Sequence, residues 1–268
     1  MKVLSIDIGI KNLAYVLLEH DKNKNEFNIL KWDVINLCNK IPHCSSCKKP
    51  AKFYKNNNYF CKTHTKNTEY IIPTINSKKL SKESIKNITS IANENKIEFD
   101  KSTSKNELIK LIDEHINNTC LNVVEILNAN NIKLIDIGIN LKKEFNDLFS
   151  ISELVNIDII LLENQISPIA NRMKTIQGML AQYFIDRGNY NIEFMSAANK
   201  LKLFNSDKKT TYTERKKLSI QYTRELLFQK NMENHLDKFN KSNKKDDLAD
   251  SFLQGIYYLS TFNKLNIT

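Results

Sequence analysis

The sequence predicts an α/β fold: a mixed β-sheet flanked by helices, with a small module inserted into it. Three observations carry this. Apolar strand-like runs at 3–8, 13–18 and 27–34 follow one another with turn residues between them. A further run, Ile157-Asp158-Ile159-Ile160-Leu161-Leu162-Glu163, is apolar on both faces apart from Asp158, as a buried strand is. Helical stripes lie before and after it, giving the order βββ-α-β-α-β-α-α.

The first three runs read as an antiparallel meander, with Gly9-Ile10-Lys11-Asn12 as the first turn and residues 21–25 as the second. Residues 37–119 then change character. They hold four of the five cysteines, three of the four prolines and many Lys and Asn residues. This reads as an insertion with a metal-ligand part (37–76) and a helical part (77–119), between core segments 1–36 and 120–268. In the helical part, Ile85, Ile88, Ile91 and Ala92 mark one amphipathic helix, and Leu108, Ile109, Leu111 and Ile112 another. Ser104 with Glu107 three residues on forms a capping box at the second start. After 120, Val123, Val124, Ile126 and Leu127 suggest a helix. Leu141, Phe145, Leu148 and Phe149 suggest a second, which leads to the strand ending in Glu163. Pro168 sits where a helix can begin, and Ile169, Met173, Ile176, Leu180 and Tyr183 continue that helix's stripe. A short strand at 191–195 and helices at about 213–229 and 246–262 complete the chain.

Composition narrows the function classes. A 268-residue chain with 41% hydrophobic residues builds one sizeable core plus a small module. No apolar stretch is long enough for a bilayer span, and Asp7 comes too early for a signal peptide. The expectation is an intracellular protein whose cysteines stay reduced. Net charge is +10, and basic residues crowd 200–224, with Phe204, Tyr212 and Tyr222 interleaved. Such a segment can follow a nucleic-acid backbone, or simply form a solvated face.

Against that positive background, carboxylates stand where two hard divalent cations would need them. Asp7 closes the first strand and Glu163 the buried one. Asp247 and Asp250, three apart, share one side of the last helix, off its core stripe of Leu248, Phe252, Gly255 and Leu259. Asp246 is also available, and acids in a first helical turn also complement the helix dipole without any metal. Glu163 is harder to explain that way, because burying it unpaired would be costly. An acidic cluster in a basic chain points to a phosphodiester substrate rather than a cationic one. The pattern D-x-G-x-x-N from Asp7 to Asn12 occurs in both actin-like phosphotransferases and RNase H-like nucleases. The five glycines are too scattered for the former's phosphate loops.

Cys44-x2-Cys47 and Cys61-x2-His64, thirteen residues apart, suit a closed tetrahedral site, hence structural Zn2+; His43 competes with His64 for the fourth place. Cys38 and Cys120 read as buried thiols.

Taken together, these blocks resemble the poxvirus-type viral Holliday junction resolvases of the RuvC-like branch of the RNase H superfamily. The residues concerned are Ser5-Ile6-Asp7-Ile8-Gly9-Ile10-Lys11-Asn12-Leu13-Ala14-Tyr15, Leu162-Glu163-Asn164-Gln165 and Asn171-Arg172-Met173-Lys174-Thr175-Ile176-Gln177-Gly178. Glu214-Arg215-Lys216-Lys217 and Asp246-Asp247-Leu248-Ala249-Asp250-Ser251 complete the set. The resemblance covers about 1–36 and 120–262. It implies an RNase H-like core and a homodimer that nicks a four-way DNA junction symmetrically with two Mg2+ or Mn2+ ions per site. It also implies a viral protein at work in the host cytoplasm. Carried over, the metal-binding acids are Asp7, Glu163, Asp247 and Asp250, with the D-x-x-D spacing before a small residue favouring Asp247 over Asp246. The basic residue that assists catalysis is Lys217 or Lys216, with Lys200 a weaker match. DNA contacts fall to Lys200, Lys202, Arg215, Lys216, Arg172 and Lys174. The segment 80–116 also resembles a SAP domain, a small DNA-binding helical module; a helical hairpin covering a sheet is the alternative. Two rival functions remain: an RNase H-like nuclease for flaps, hybrids or guide-directed DNA, and a junction-binding protein without catalysis.

Overall fold

A computed structural model describes residues 1–267 apart from 39–40, 76, 126–128, 167–170 and 205–209. In chain order, β1 (Lys2–Asp7), β2 (Leu13–Asp21) and β3 (Glu26–Ile35) come first. β4 (Phe53–Lys55), β5 (Asn58–Phe60), a 3-10 turn at His64–Asn67, α1 (Ser77–Leu80), α2 (Ile85–Glu94), α3 (Lys105–Thr119) and β6 (Asn122–Val123) follow. Then come α4 (Leu134–Leu148), α5 (Ile151–Val155), β7 (Ile159–Glu163), α6 (Asn171–Ile185) and β8 (Ile192–Met195). A 3-10 turn at Ala197–Leu201, α7 (Tyr212–Gln229), α8 (Glu233–Lys241) and α9 (Lys245–Asn263) end the chain. The contacts divide it into two compact units, residues 1–39 with 127–268 and residues 40–126.

The first unit is built on a five-stranded sheet of order β3-β2-β1-β7-β8. β1, β2 and β3 are the antiparallel meander read from the sequence, while β7 and β8 run parallel to β1. The sheet is mixed, as the sequence predicts, with a core on each face. Side chains alternate across the sheet with period two. Leu4 and Ile6 of β1, with Ile160 and Leu162 of β7, face a core closed by α4 and α6 through Phe145, Ile176, Leu180 and Phe184. Val3, Ile159 and Leu161 face the opposite core, closed by α9 and its neighbours through Phe239, Phe252, Leu253 and Ile256. Gly255 lets α9 come close, because a Cβ there would lie 2.8 Å from Leu18 Cδ1. Gly9 is required in the β1–β2 turn, where a Cβ would sit 2.2 Å from the backbone oxygen of Asn12.

The second unit pairs a three-stranded sheet, order β5-β4-β6, with a helical cluster. Asn56 and Asn57, at φ 46° and 64°, make the two-residue turn between β4 and β5. Leu80, Ile88, Ala92, Leu108, Ile112 and Ile116 form the helical core. The Ser104–Glu107 capping box is present. Lys55 ties the hairpin to α3 by donating to the carbonyls of Asn117 and Cys120 at the helix's negative end.

One sequence expectation fails here, and another lies partly outside the described residues. Val123 is extended, not helical: Asn122–Val123 pairs with β4, so the edge pairing outweighs a helix-like run only four residues long. Ile126, Leu127, Pro168 and Ile169 lie outside the described residues, and the helix expected to begin at Pro168 is described from Asn171. The short helices α5 and α8 were not anticipated.

Candidate active site

Period-two alternation places the first two acids together. Val3, Ser5 and Asp7 share the α9 face of β1, as Ile159, Leu161 and Glu163 share that face of β7. Since Ile6 pairs with Leu162, Asp7 and Glu163 end adjacent parallel strands on the same side. This is the carboxyl edge of the parallel strands, where open α/β sheets form their sites. β8 ends beside Glu163, with Met195 as its pairing partner. The chain then turns through Ser196, whose side chain caps the 3-10 turn carrying Lys200.

Lys200 is the centre of the cluster. It is 4% exposed, and its Nζ donates to Asp7 at 2.7 Å, Glu163 at 3.2 Å and Asp250 at 3.2 Å. Asp250 comes from α9, whose position is fixed by a buried polar network. Gln254 Nε2 donates to Ser5 Oγ at 3.1 Å, to the Ile6 carbonyl at 3.2 Å and to the Leu161 carbonyl at 3.4 Å. Ser5 Oγ donates in turn to the Ser251 carbonyl at 2.8 Å. The same helix is therefore bonded to both strands that carry the other acids. Trp32 Nε1 adds a bond to the Leu248 carbonyl at 3.1 Å, beside Asp247.

Electrostatics reflect crowding. Burial, with Glu163 alongside, raises Asp7 to about 6 although Lys200 pulls the other way. Burial, Asp246 and Asp7 raise Asp247 to about 6, and burial raises Asp250. Burial works against the Lys200 ammonium, but the three carboxylates more than offset it and raise its pKa. One buried ammonium thus faces three carboxylates, with Asp247 close to Asp7 as a fourth. An all-oxygen, excess-negative donor set of this kind fits a hard divalent cation.

The two final-helix candidates separate. Asp246 accepts from Lys216 Nζ at 2.6 Å, and that pairing holds it low against the effect of burial. Asp247 has Asp7 among its charged neighbours, so it is the one turned toward the cluster. A cleft of about 170 Å³ opens here, lined by Glu163, Lys200, Tyr212, Arg215, Lys216 and Asp250 among others.

Several expectations change. Lys217, favoured for catalysis, is exposed, with Glu214 its neighbouring charge; it follows the turn of α7 that faces the cleft through Lys216. Lys200, ranked below it and also taken as a DNA contact, is buried among the acids. Arg172 is committed to structure: its Nη2 donates to the carbonyls of Ala129 at 3.2 Å and Ile132 at 2.6 Å. Lys216 is shared with Asp246. Lys202, Lys174 and Arg215 are exposed, Arg215 at the cleft. The sequence carried a signal for Lys200: it follows the end of a strand parallel to the one ending in Glu163. Ser5 and Gln254 had no such signal.

In the inserted unit, Cys44, Cys47, Cys61 and His64 bring their ligand atoms within 4.8 Å of one another. Cys47 Sγ and Cys61 Sγ are 3.8 Å apart, Cys44 Sγ and His64 Nδ1 3.3 Å, and Cys61 Sγ and His64 Nδ1 3.6 Å. Around an ion with metal–sulfur bonds of about 2.3 Å, sulfurs at tetrahedral corners stand about 3.8 Å apart. The set therefore fits a metal ion. His43, exposed and paired with Pro50, is outside this group. Burial works against ionising Cys44, but backbone hydrogen bonds at Cys61 and Ser46, with His64 and Cys47 beside it, bring the thiol to about 6.

The sequence profile of the family described as poxvirus A22 protein matches residues 107–264. The chain belongs to that family. Residues 3–128 match a second family, described as mitochondrial resolvase Ydc2 / RNA splicing MRS1. The resemblance to poxvirus-type resolvases read from the sequence is borne out. A relative, the uncharacterized protein L451 of Acanthamoeba polyphaga mimivirus, is 29% identical over 315 aligned residues, covering 97% of this chain and 74% of that one. The crystal structure of the yeast mitochondrial Holliday junction resolvase Ydc2 is similar at 18% identity and TM-score 0.46, over 96% of this chain and 78% of that one. That of fowlpox virus resolvase with Holliday junction DNA is similar at 18% identity and TM-score 0.38, over 97% and 98%. Among the described residues, no helix is long and apolar enough to cross a membrane.

Proposed function

We propose that this A22-family protein is a nuclease that hydrolyses DNA, and specifically a crossover junction endodeoxyribonuclease acting on four-way junctions as a homodimer. The observation that carries this is the gathering of Asp7, Glu163 and Asp250 around Lys200, from three separate stretches of sequence, in a chain of net charge +10.

Asp7, Glu163, Asp247 and Asp250 are the residues that would hold Mg2+ or Mn2+. When bound, such ions activate water and stabilise the leaving 3′ oxygen of a phosphodiester. The chain's own contribution is positional. Gln254 and Ser5 fix α9 against both strands, so the carboxylates keep their relative places. Arg215, at the mouth of the cleft, holds the scissile phosphate's neighbourhood. Lys200 supplies positive charge where the phosphorane's negative charge develops, in a buried setting that strengthens it. Products carry 5′-phosphate and 3′-hydroxyl ends. In the inserted unit, Cys44, Cys47, Cys61 and His64 hold structural Zn2+.

The test uses labelled four-way junctions with linear duplex, flap and RNA–DNA hybrid controls, plus Mg2+ or Mn2+. Paired, symmetric nicks confined to the junction are expected. Faster cutting of flap or hybrid would replace this reading with that of a differently targeted RNase H-like nuclease. Junction binding without any cutting would leave a non-catalytic binder.

A further inference from the structure

Charge is unevenly divided within the inserted unit. Residues 43–75, around the Cys/His cluster, hold six lysines against one acid, Glu69. Residues 77–119, the helical part with the SAP-like pattern, hold eight lysines against seven acids. The two parts are of similar length, so only the first has a pronounced positive field.

Five of the six lysines are free to use it. Lys55 is buried and occupied at the end of α3. Lys48, Lys49, Lys52, Lys62 and Lys66 are exposed. Each lies within five residues of a cluster ligand, and Lys48 and Lys62 directly follow Cys47 and Cys61. The two loops that present them are held by the cluster: Cys44 N donates to the Lys49 carbonyl at 2.9 Å, and His64 N to that of Cys61 at 3.0 Å. A mainly solvating surface gains nothing from such one-signed charge on ordered loops, which repels itself unless an anion sits on it.

We infer that the Cys/His end of the inserted unit is a second DNA-contact surface, which holds the phosphate backbone of a duplex arm through Lys48, Lys49, Lys52, Lys62 and Lys66. The inference rests on the proposed substrate being branched DNA. It assigns backbone binding to the loops around the Cys/His cluster and not to the SAP-like helices. Contacts of this kind read no sequence; they add affinity and fix orientation.

The experiment measures binding of the full-length protein to labelled linear duplex, by anisotropy, at several salt concentrations without added divalent cation, so that nothing is cut. Lys48→Ala/Lys49→Ala/Lys62→Ala/Lys66→Ala is expected to weaken duplex binding at least tenfold near 100 mM salt. It should also flatten the salt dependence by roughly three units of log–log slope, since each lost phosphate contact removes about 0.9. Lys82→Ala/Lys86→Ala/Lys101→Ala/Lys110→Ala, on exposed helical-part lysines, should change either quantity far less. Both variants should melt like the wild type, because the altered side chains are exposed. An unchanged affinity and slope in the first variant, or a larger loss in the second, would overturn the inference. Neither outcome depends on cleavage, so a protein that binds duplex this way but cuts no junction would refute the proposed activity and leave this surface standing.

Discussion

At the scale of single residues, the acids and Lys200 make opposite contributions, and both are measurable. Asp7→Asn, Glu163→Gln and Asp250→Asn should each abolish cutting while leaving junction binding largely intact, since affinity comes mainly from basic contacts to phosphate. Near-normal cleavage by any one would remove that residue from the site. Asp247→Asn should cost far more activity than Asp246→Asn, because Asp246 is turned to Lys216. Stability gives an independent reading. The folded pKa of Asp7, about 6, lies above its ordinary 3.8, so the folded state binds more protons between those values and loses stability as pH rises through them. Without divalent cations, Asp7→Asn should therefore gain stability relative to wild type from pH 4.5 to 7, by about 1–3 kcal/mol for a shift of ~2 units. Thermal melts across that range check the sign; a gain that shrinks toward neutral pH contradicts it. Cleavage should fall on acidification below about 6, where protons compete with metal for Asp7 and Asp247. Lys200→Ala removes the buried counter-charge of three carboxylates and should destabilise the metal-free protein by about 3–5 kcal/mol. Mg2+ or Mn2+ should then raise the melting temperature of the variant more than that of wild type. Lys217→Ala, at an exposed site, should stay within about 0.5 kcal/mol.

Between elements, the site depends on how α9 docks. Gln254→Leu keeps the volume but removes the donor shared by Ser5, Ile6 and Leu161, leaving buried acceptors unmet at a cost of about 1–3 kcal/mol. If its role is positional, single-turnover cleavage should drop at least tenfold while the junction Kd holds; an equal loss of both would mark it as merely structural. The meander, the buried strand and the last helix were legible because their patterns are long and regular. Glu163 and Asp250 stood out as charges against those patterns. Lys200 and Gln254 did not, for opposite reasons. Lys200 sits in a lysine-rich stretch that masks its one signal, its place just after the strand parallel to the one ending in Glu163. Gln254 is a polar residue inside an apolar stripe, which only the sheet beneath it explains. Val123 misled because four apolar residues serve a strand edge as well as a helix. The Cys/His spacing, by contrast, was decisive, since four soft ligands need only local chain to converge. Cys47→Ser should lower bound zinc from one ion per chain toward none, by elemental analysis, and should unfold the inserted unit before the core. Full stability in zinc-free protein would refute a structural metal.

For the whole molecule, each chain contributes the acid cluster around Lys200, while a four-way junction has two strands to cut. A two-fold pair of clusters matches that substrate and permits both nicks in one encounter. On α6, Met179 and Phe184 are apolar residues from which a two-fold interface could be built. Phe184 is fully buried against Phe145 and Tyr183, so it belongs to the core. Met179 remains at the surface boundary, its sulfur 3.6 Å from where a Cβ on Gly138 would stand. On either side of Gly138 in α4, Ile135 and Ile139 are 71% and 61% exposed, one helical turn apart. Together these make an apolar strip across α4 and α6 that a second copy would cover. Light scattering should give a mass near twice 31.2 kDa. Ile135→Glu with Ile139→Glu should halve it without lowering the melting temperature of the isolated chain, since neither side chain is in the core. The split protein should then nick junctions one strand at a time, releasing singly nicked product that accumulates before the second cut. A wild-type monomer that still makes both nicks in one binding event would refute the dimer. A variant that stays dimeric would move the interface off this strip.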